Sequence, residues 1–174
     1  MDFITDFPPV DPQGATNCLV ITDRLTKSVI LVAMKGITSV DVAEAFWIHF
    51  YMHHGLPLTI TSYRGPQFVG GFWRIVCERL SIQRRLSTAF HPVRQSDRRA
   101  NQEVERVIRA FSVYAQDDWG SLLPIVAIAI NNCDATSTGL SPLFFTHGYH
   151  VDPIGIDNAL DPRCCPLREQ AKRS

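Results

Sequence analysis

Residues 18–34 read C-L-V-I-T-D-R-L-T-K-S-V-I-L-V-A-M. Two apolar runs rich in valine and isoleucine, 18–22 and 28–34, flank a polar segment at 23–26. Runs of this length and composition, separated by turn residues, predict an antiparallel hairpin. Beyond the hairpin the period changes. Between 39 and 54 the apolar residues Val42, Ala43, Phe46, Trp47 and Phe50 recur at helical spacing. Thr38 or Ser39 can cap that helix, Asp41 and Glu44 suit its positive end, and Gly55 stops it.

Strand and helix signals then alternate. Residues 58–61 read as a strand, and Pro66 fits the first turn of a helix running to about Leu80, with Phe68, Phe72, Ile75, Val76 and Leu80 inward. Residues 82–86 read as a further strand and 88–96 as irregular. A long helix over about 98–116 carries Val104, Val107, Ile108, Phe111 and Ala115 on one stripe, and a last, largely apolar helix spans 119–132. A first strand over 2–7, ended by Pro8 and Pro9, precedes the hairpin. The order β-β-β-α-β-α-β-α-α predicts an α/β fold, a mixed five-stranded sheet flanked by helices.

The chain has 174 residues, enough for one domain with a substantial core. No apolar run reaches the roughly 18 residues of a membrane helix. Asp2 and Asp6 at the start do not suit a secretory signal. Five scattered cysteines predict a reducing compartment, and Cys164–Cys165 have no metal-binding spacing. Net charge is zero, yet residues 64–109 hold ten arginines, no lysine and four acids. The planar guanidinium suits phosphate, so this block is either a nucleic-acid face or a solvated face balanced by acids elsewhere.

His49 and His53 have metal-ligand spacing on a helix, but the sequence places no third ligand beside them, which favours a satisfied or solvent-facing role. Gly70–Gly71 predict close packing on a helix face. There is no phosphate-binding glycine loop and no G-x-S-x-G. What remains is carboxylates at strand and helix ends. Asp2 in the first strand, the turn at 62–65 and the segment 95–99 can converge on one site of a mixed sheet. Three acids there would suit two Mg²⁺ ions, which need hard oxygen ligands and can activate one oxygen of a phosphodiester while stabilising another.

Several stretches, in order, resemble one family. They are M-D-F-I-T-D at 1–6, V-I-T-D-R-L-T-K at 20–27, H-G-L-P at 54–57, R-G-P-Q-F at 64–68, F-W at 72–73 and L-S-T-A-F-H-P at 86–92. A-N-Q-E-V-E at 100–105, D-D-W at 117–119, L-L-P at 122–124, N-N at 131–132, T-G-L-S-P at 138–142 and G-Y-H at 148–150 continue them. The chain resembles the catalytic core of retrotransposon integrases of the Ty3/gypsy type. The resemblance implies an RNase H-like fold over about residues 1–150, with 151–174 a poorly ordered tail. It further implies Mg²⁺ or Mn²⁺ as cofactor and the joining of element DNA to target DNA. DNA is then the partner, with a possible homodimer formed through helix faces, no membrane, and an intracellular, nuclear setting. The family's N-terminal zinc-binding and C-terminal DNA-binding regions have no counterpart here, so an isolated core fragment is expected.

The family's three catalytic acids map unevenly. The first falls on Asp2. The slot of the second, just before R-G-P-Q-F, holds Tyr63. The third belongs to a stretch like D-G-Q-S-E-R-A-N-Q, where this chain has V-R-Q-S-D-R-R-A-N-Q at 93–102. Spacing from Tyr63 lands on Arg99, counting back from Asn101 lands on Arg98, and matching Q-S lands on Asp97. A phenol titrates near ~10 and stays neutral at pH 7. An arginine in an ion's place repels it by several kcal/mol over a few Å at an effective dielectric of about 20. Asp2 is expected to sit on a frayed strand end.

The expectation is therefore an integrase-core-like, nucleic-acid-associated domain with a degenerate, catalytically inactive site. DNA contact is expected to be weak and non-specific, through Arg64, Arg94, Arg98, Arg99, Arg106 and Arg109. One alternative is an active metal-dependent polynucleotidyl transferase using Asp2, Asp97 and a further ligand such as Asp23. The other is a non-catalytic nucleic-acid-binding or dimerisation module.

Overall fold

The hairpin forms where the valine-rich runs predict it. In the computed structural model, β1 (Asp2–Ile4), β2 (Asn17–Thr22) and β3 (Val29–Met34) make an antiparallel sheet in the order β1-β2-β3. Asp2 lies opposite Val20, and Thr22 opposite Val29. The structure describes residues 1–10, 14–86, 92–111 and 118–151, with the side chains of 92–99 and 111 outside that set. The tail expected to be poorly ordered therefore lies outside the described residues, apart from Val151.

Strand pleating divides the side chains between two cores. Leu19, Ile21, Val32 and Met34 face one way, Cys18, Val20 and Val29 the other. The first core is closed by α1 (Ser39–Phe46), which runs on through a π-helical turn (Trp47–Tyr51) into α2 (Met52–His54). Thr38 caps α1: its hydroxyl accepts from the Asp41 amide, and the Asp41 carboxylate accepts from the Thr38 amide at 2.8 Å. Val42 and Phe46 are buried as expected. Trp47 is exposed, because the π turn widens the helix at that residue and shifts the stripe off its α period.

The second sheet is parallel, β4 (Thr59–Ser62) beside β5 (Gln83–Leu86). Their crossover is not one helix but two, α3 (Pro66–Val69) and α4 (Gly71–Arg79). Gly70 breaks them apart with extended backbone, and a Cβ there would lie 3.0 Å from the Pro66 carbonyl and 3.4 Å from Ser39 Cβ. Close packing thus holds for Gly70; Gly71 faces open space. The break resets the helical phase. Phe68 is buried, but Trp73 and Cys77 are buried in place of Phe72 and Ile75.

On the opposite face lie α5 (Pro92–Phe111) and α6 (Trp119–Asn132), followed by α7 (Pro142–His147). Val104, Ile108, Trp119, Leu123 and Val126 fill the second core with Ile4 and Val10. α5 begins at Pro92, earlier than expected, because proline suits a first helical turn. α7 has no counterpart among the expected elements; Ser141 caps it by accepting from the Phe144 amide at 3.2 Å.

Among the described residues the five strands form a three-stranded and a two-stranded sheet, where a single mixed five-stranded sheet is expected. Between β1 and β4 the Met1 ammonium donates to the Thr61 carbonyl at 2.7 Å, and Phe3 packs against Phe68 across the same seam. β1 is too short to carry a second ladder. It ends at Ile4 because Asp6 takes a left-handed φ of 68°. Its three residues nonetheless all pair with β2, so the strand end is held, not frayed.

Candidate functional site

Pleating puts Asp2 on the same side of β1 as Ile4, toward α5. There its carboxylate is partly buried and both oxygens accept hydrogen bonds. Phe3 N–H reaches Oδ1 at 2.9 Å, and the Asn101 side-chain amide reaches Oδ2 at 2.8 Å. Asn101 continues the α5 stripe of Val104 and Ile108, three and seven residues on, which presses this part of the helix against the sheet. Sequence reasoning places Asn101 within A-N-Q and gives it no role. A polar residue in phase with a buried apolar stripe was the available signal.

Tyr63 follows the last residue of β4. Ser62 takes the inward position and is 4% exposed, whereas Tyr63 is 50% exposed. Arg64 beside it is also exposed. Gly65 N-caps α3 and Pro66 opens it. The strand, turn and helix start are thus the predicted frame, with a phenol at the strand end where the family has a carboxylate.

For the third acid, the backbone of α5 covers all three placements. Asp97 stands four residues, about one turn, before Asn101, Arg98 three residues, and Arg99 two. The side chains of Asp97, Arg98, Arg99 and Arg94 lie outside the described residues.

The remaining candidates resolve simply. The Asp23 carboxylate accepts from Thr26 N and Thr26 Oγ1 at 2.8 and 2.7 Å and closes the hairpin turn, three residues beyond Val20, the partner of Asp2. Arg106 and Arg109 each pair with an acid of their own helix, Glu103 at 2.8 Å and Glu105 at 3.4 Å. Both pairs are solvent-exposed, which leaves them able to exchange partners. His49 and His53 are exposed on the π turn and α2. Cys18 and Cys77 are buried thiols that burial pushes up to about 12 and about 11, which removes them as nucleophiles.

A two-ion centre needs several hard oxygen donors in one place. Among the described residues no three His, Cys, Asp or Glu are grouped to hold an ion. Asp2 supplies one carboxylate, which accepts one hydrogen bond at each oxygen, and Tyr63 a phenol. Among the described residues these donors do not make up such a centre. No described helix is long and apolar enough to cross a membrane.

No family model matches the chain. Among curated proteins, the transposon Tf2-3 and Tf2-4 polyproteins of Schizosaccharomyces pombe are each 26% identical over 167 residues. The match covers 92% of this chain and 12% of each polyprotein, so the chain spans about an eighth of the relatives it matches. Among solved structures, the HTLV-2 integrase catalytic core domain in complex with magnesium gives a TM-score of 0.64 at 14% identity, covering 84% of this chain and 94% of that one. The integrase catalytic core domain of BIV gives 0.62 at 16% identity, over 83% and 91% of the two chains. A chain of the simian T-cell lymphotropic virus intasome with PP2A regulatory subunit B56 gamma gives 0.68 at 18% identity, over 91% and 58%. The polyproteins carry the retrotransposon side of the resemblance and the solved cores carry its fold. Together they bear out the resemblance to retrotransposon integrase cores, and the solved cores show that the chain shares their α/β fold.

Proposed function

We propose that the chain is a retrotransposon integrase core that has lost its phosphodiester chemistry and keeps a non-specific contact with DNA. The observation that carries this reading is the side-chain set at the ends of β1 and β4. Asp2 is engaged by Asn101 and Phe3, and Tyr63 occupies the slot of the second acid. A phenol brings neither the negative charge nor the paired oxygens that a divalent ion takes from a carboxylate. A strand-transfer or disintegration assay with Mg²⁺ or Mn²⁺ tests it. The expected result is no product above that of an Asp2→Ala control. Product that vanishes with Asp2→Ala would overturn the reading.

One observation favours a second reading. Asp97 lies on α5 four residues before Asn101, whose side chain reaches Asp2, which supports Asp97 as the third acid of this reading. An active enzyme built on this pair would lose its product with either Asp2→Ala or Asp97→Ala. The inactive reading predicts no dependence on either.

The proposed DNA contact runs through Arg64 and the arginine-rich N-terminal half of α5. Phosphate contacts release counterions, so affinity for a short duplex should fall as salt rises. Affinity unchanged between two salt concentrations would remove DNA as the partner. The HTLV-2 core was solved in trimeric and dimeric forms, which supports self-association as part of this proposal. Light scattering across a dilution series reads it directly.

A further inference from the structure

Along the π turn and α2, rings four residues apart meet. Phe46 stacks on Phe50 at 5.3 Å, Trp47 stacks on Tyr51 at 4.2 Å, and Phe50 meets His54 at 5.1 Å. His49 and His53 stand in the same relation within this row, and both are exposed. We infer that His49 and His53 form a two-imidazole clip for a late first-row divalent ion, of the class of Ni²⁺ and Zn²⁺, apart from the site at Asp2 and Tyr63.

An α turn takes about 3.6 residues and a π turn somewhat more, so residues four apart stay on one side in both. Their Cβ atoms lie about 5–6 Å apart, which lets two imidazoles meet on one ion with bonds of about 2.0–2.1 Å. Burial, and then the His53 ring beside it, hold His49 below the ordinary imidazole value, so it presents a neutral nitrogen. His54 does not belong to the pair. Consecutive helix residues point about 100° apart. Its ring packs on Phe50 and lies edge-on to His53 at 6.4 Å.

The chemistry of the donors sets the ion. Late first-row ions take imidazole nitrogen, whereas Mg²⁺ and Mn²⁺ prefer oxygen. Among the described residues no third ligand joins the pair, so water fills the other positions and the ion exchanges freely. His49 borders a groove along β3 and α6, and β3 is two strands from β1, which carries Asp2. The clip therefore stands whether or not the chain retains strand transfer.

The test uses the full chain with Ni²⁺ as the probe. Diethyl pyrocarbonate acylates each accessible histidine, and peptide mass spectrometry reads its protection as Ni²⁺ rises. A metal-bound imidazole has lost the lone pair that the reagent attacks. His49 and His53 should become protected together, at about tenfold less Ni²⁺ than His54, because the second imidazole binds as an intramolecular ligand. His53→Gln should raise the Ni²⁺ needed to protect His49 by about tenfold, and His49→Gln should do the same for His53. His54→Gln should change neither, and Mg²⁺ at the same concentrations should protect none of the three. Protection of His49 that is indifferent to His53→Gln would overturn the inference. So would protection of His54 at the same Ni²⁺ as the pair. Should a substitution disturb the helix, the order of protection in the wild type still decides.

Discussion

Replacing Asn131 by leucine should remove a strand's worth of pairing from the outer edge of β3. Asn131 sits on α6 and is 9% exposed. Its Oδ1 accepts from Val29 N–H at 2.7 Å, and its Nδ2 donates to the Val29 carbonyl at 2.8 Å. A neighbouring strand would supply the same two bonds. Leucine, close to asparagine in size, leaves both Val29 groups buried against hydrocarbon. Each unpaired group costs about 1–3 kcal/mol. The added apolar burial returns about 1–2 kcal/mol. Mid-range values, about 4 kcal/mol lost against about 1.5 returned, leave a net loss of about 2.5 kcal/mol, or roughly 5–10 °C in the unfolding midpoint for a chain of this length. Urea unfolding followed by tryptophan fluorescence and circular dichroism measures it. Hydrogen exchange at the Val29 amide supplies an independent local readout, slow in the wild type and fast in the variant. A leucine variant within about 0.5 kcal/mol of the wild type would mean that the amide does not stand in for a strand, since surface-like substitutions fall in that range.

Three further outcomes are expected. Trp119→Phe should destabilise by about 1–3 kcal/mol in the same urea experiment, because the fully buried indole stacks on Phe7 at 4.4 Å and donates to the Pro8 carbonyl at 2.7 Å. The Thr38 hydroxyl and amide hold the Asp41 carboxyl below its usual value, so its contribution is present above about pH 4 and lost as pH falls through the lowered value. Asp41→Asn should therefore shrink the difference between midpoints at neutral pH and near pH 3. In duplex titrations Arg64→Ala should weaken DNA binding more than Arg106→Ala, since Arg106 must first give up Glu103 and Arg64 is exposed at the candidate site; equal effects would move the contact away from Tyr63.

Much of the fold is legible because its signals are local. The hairpin, the Thr38 cap and the 119–132 helix come from residues a few positions apart, and the structure has them where the spacing puts them. The errors lie where a local period is interrupted. Gly70 resets the phase of one helix and the π turn resets another, so apolar spacing assigns Phe72, Ile75 and Trp47 to the core while Trp73 and Cys77 fill it. Neither interruption leaves a mark in apolar spacing alone.

The site divides along the same line. Residue order is enough to put Asp2 on the first strand and Tyr63 after the fourth, where the resemblance implies an acid, and to leave three placements competing for the last slot. What each position touches depends on the packed layers. The α5 helix carries all three of those placements on one continuous backbone. It also joins Asn101 to Asp2, and α6 joins Asn131 to Val29, across 99 and 102 residues of chain. Side-chain amides carry no periodicity, and their partners are chosen by which layers pack together. Only the assembled layers could show that the carboxylate of Asp2 meets the Asn101 amide.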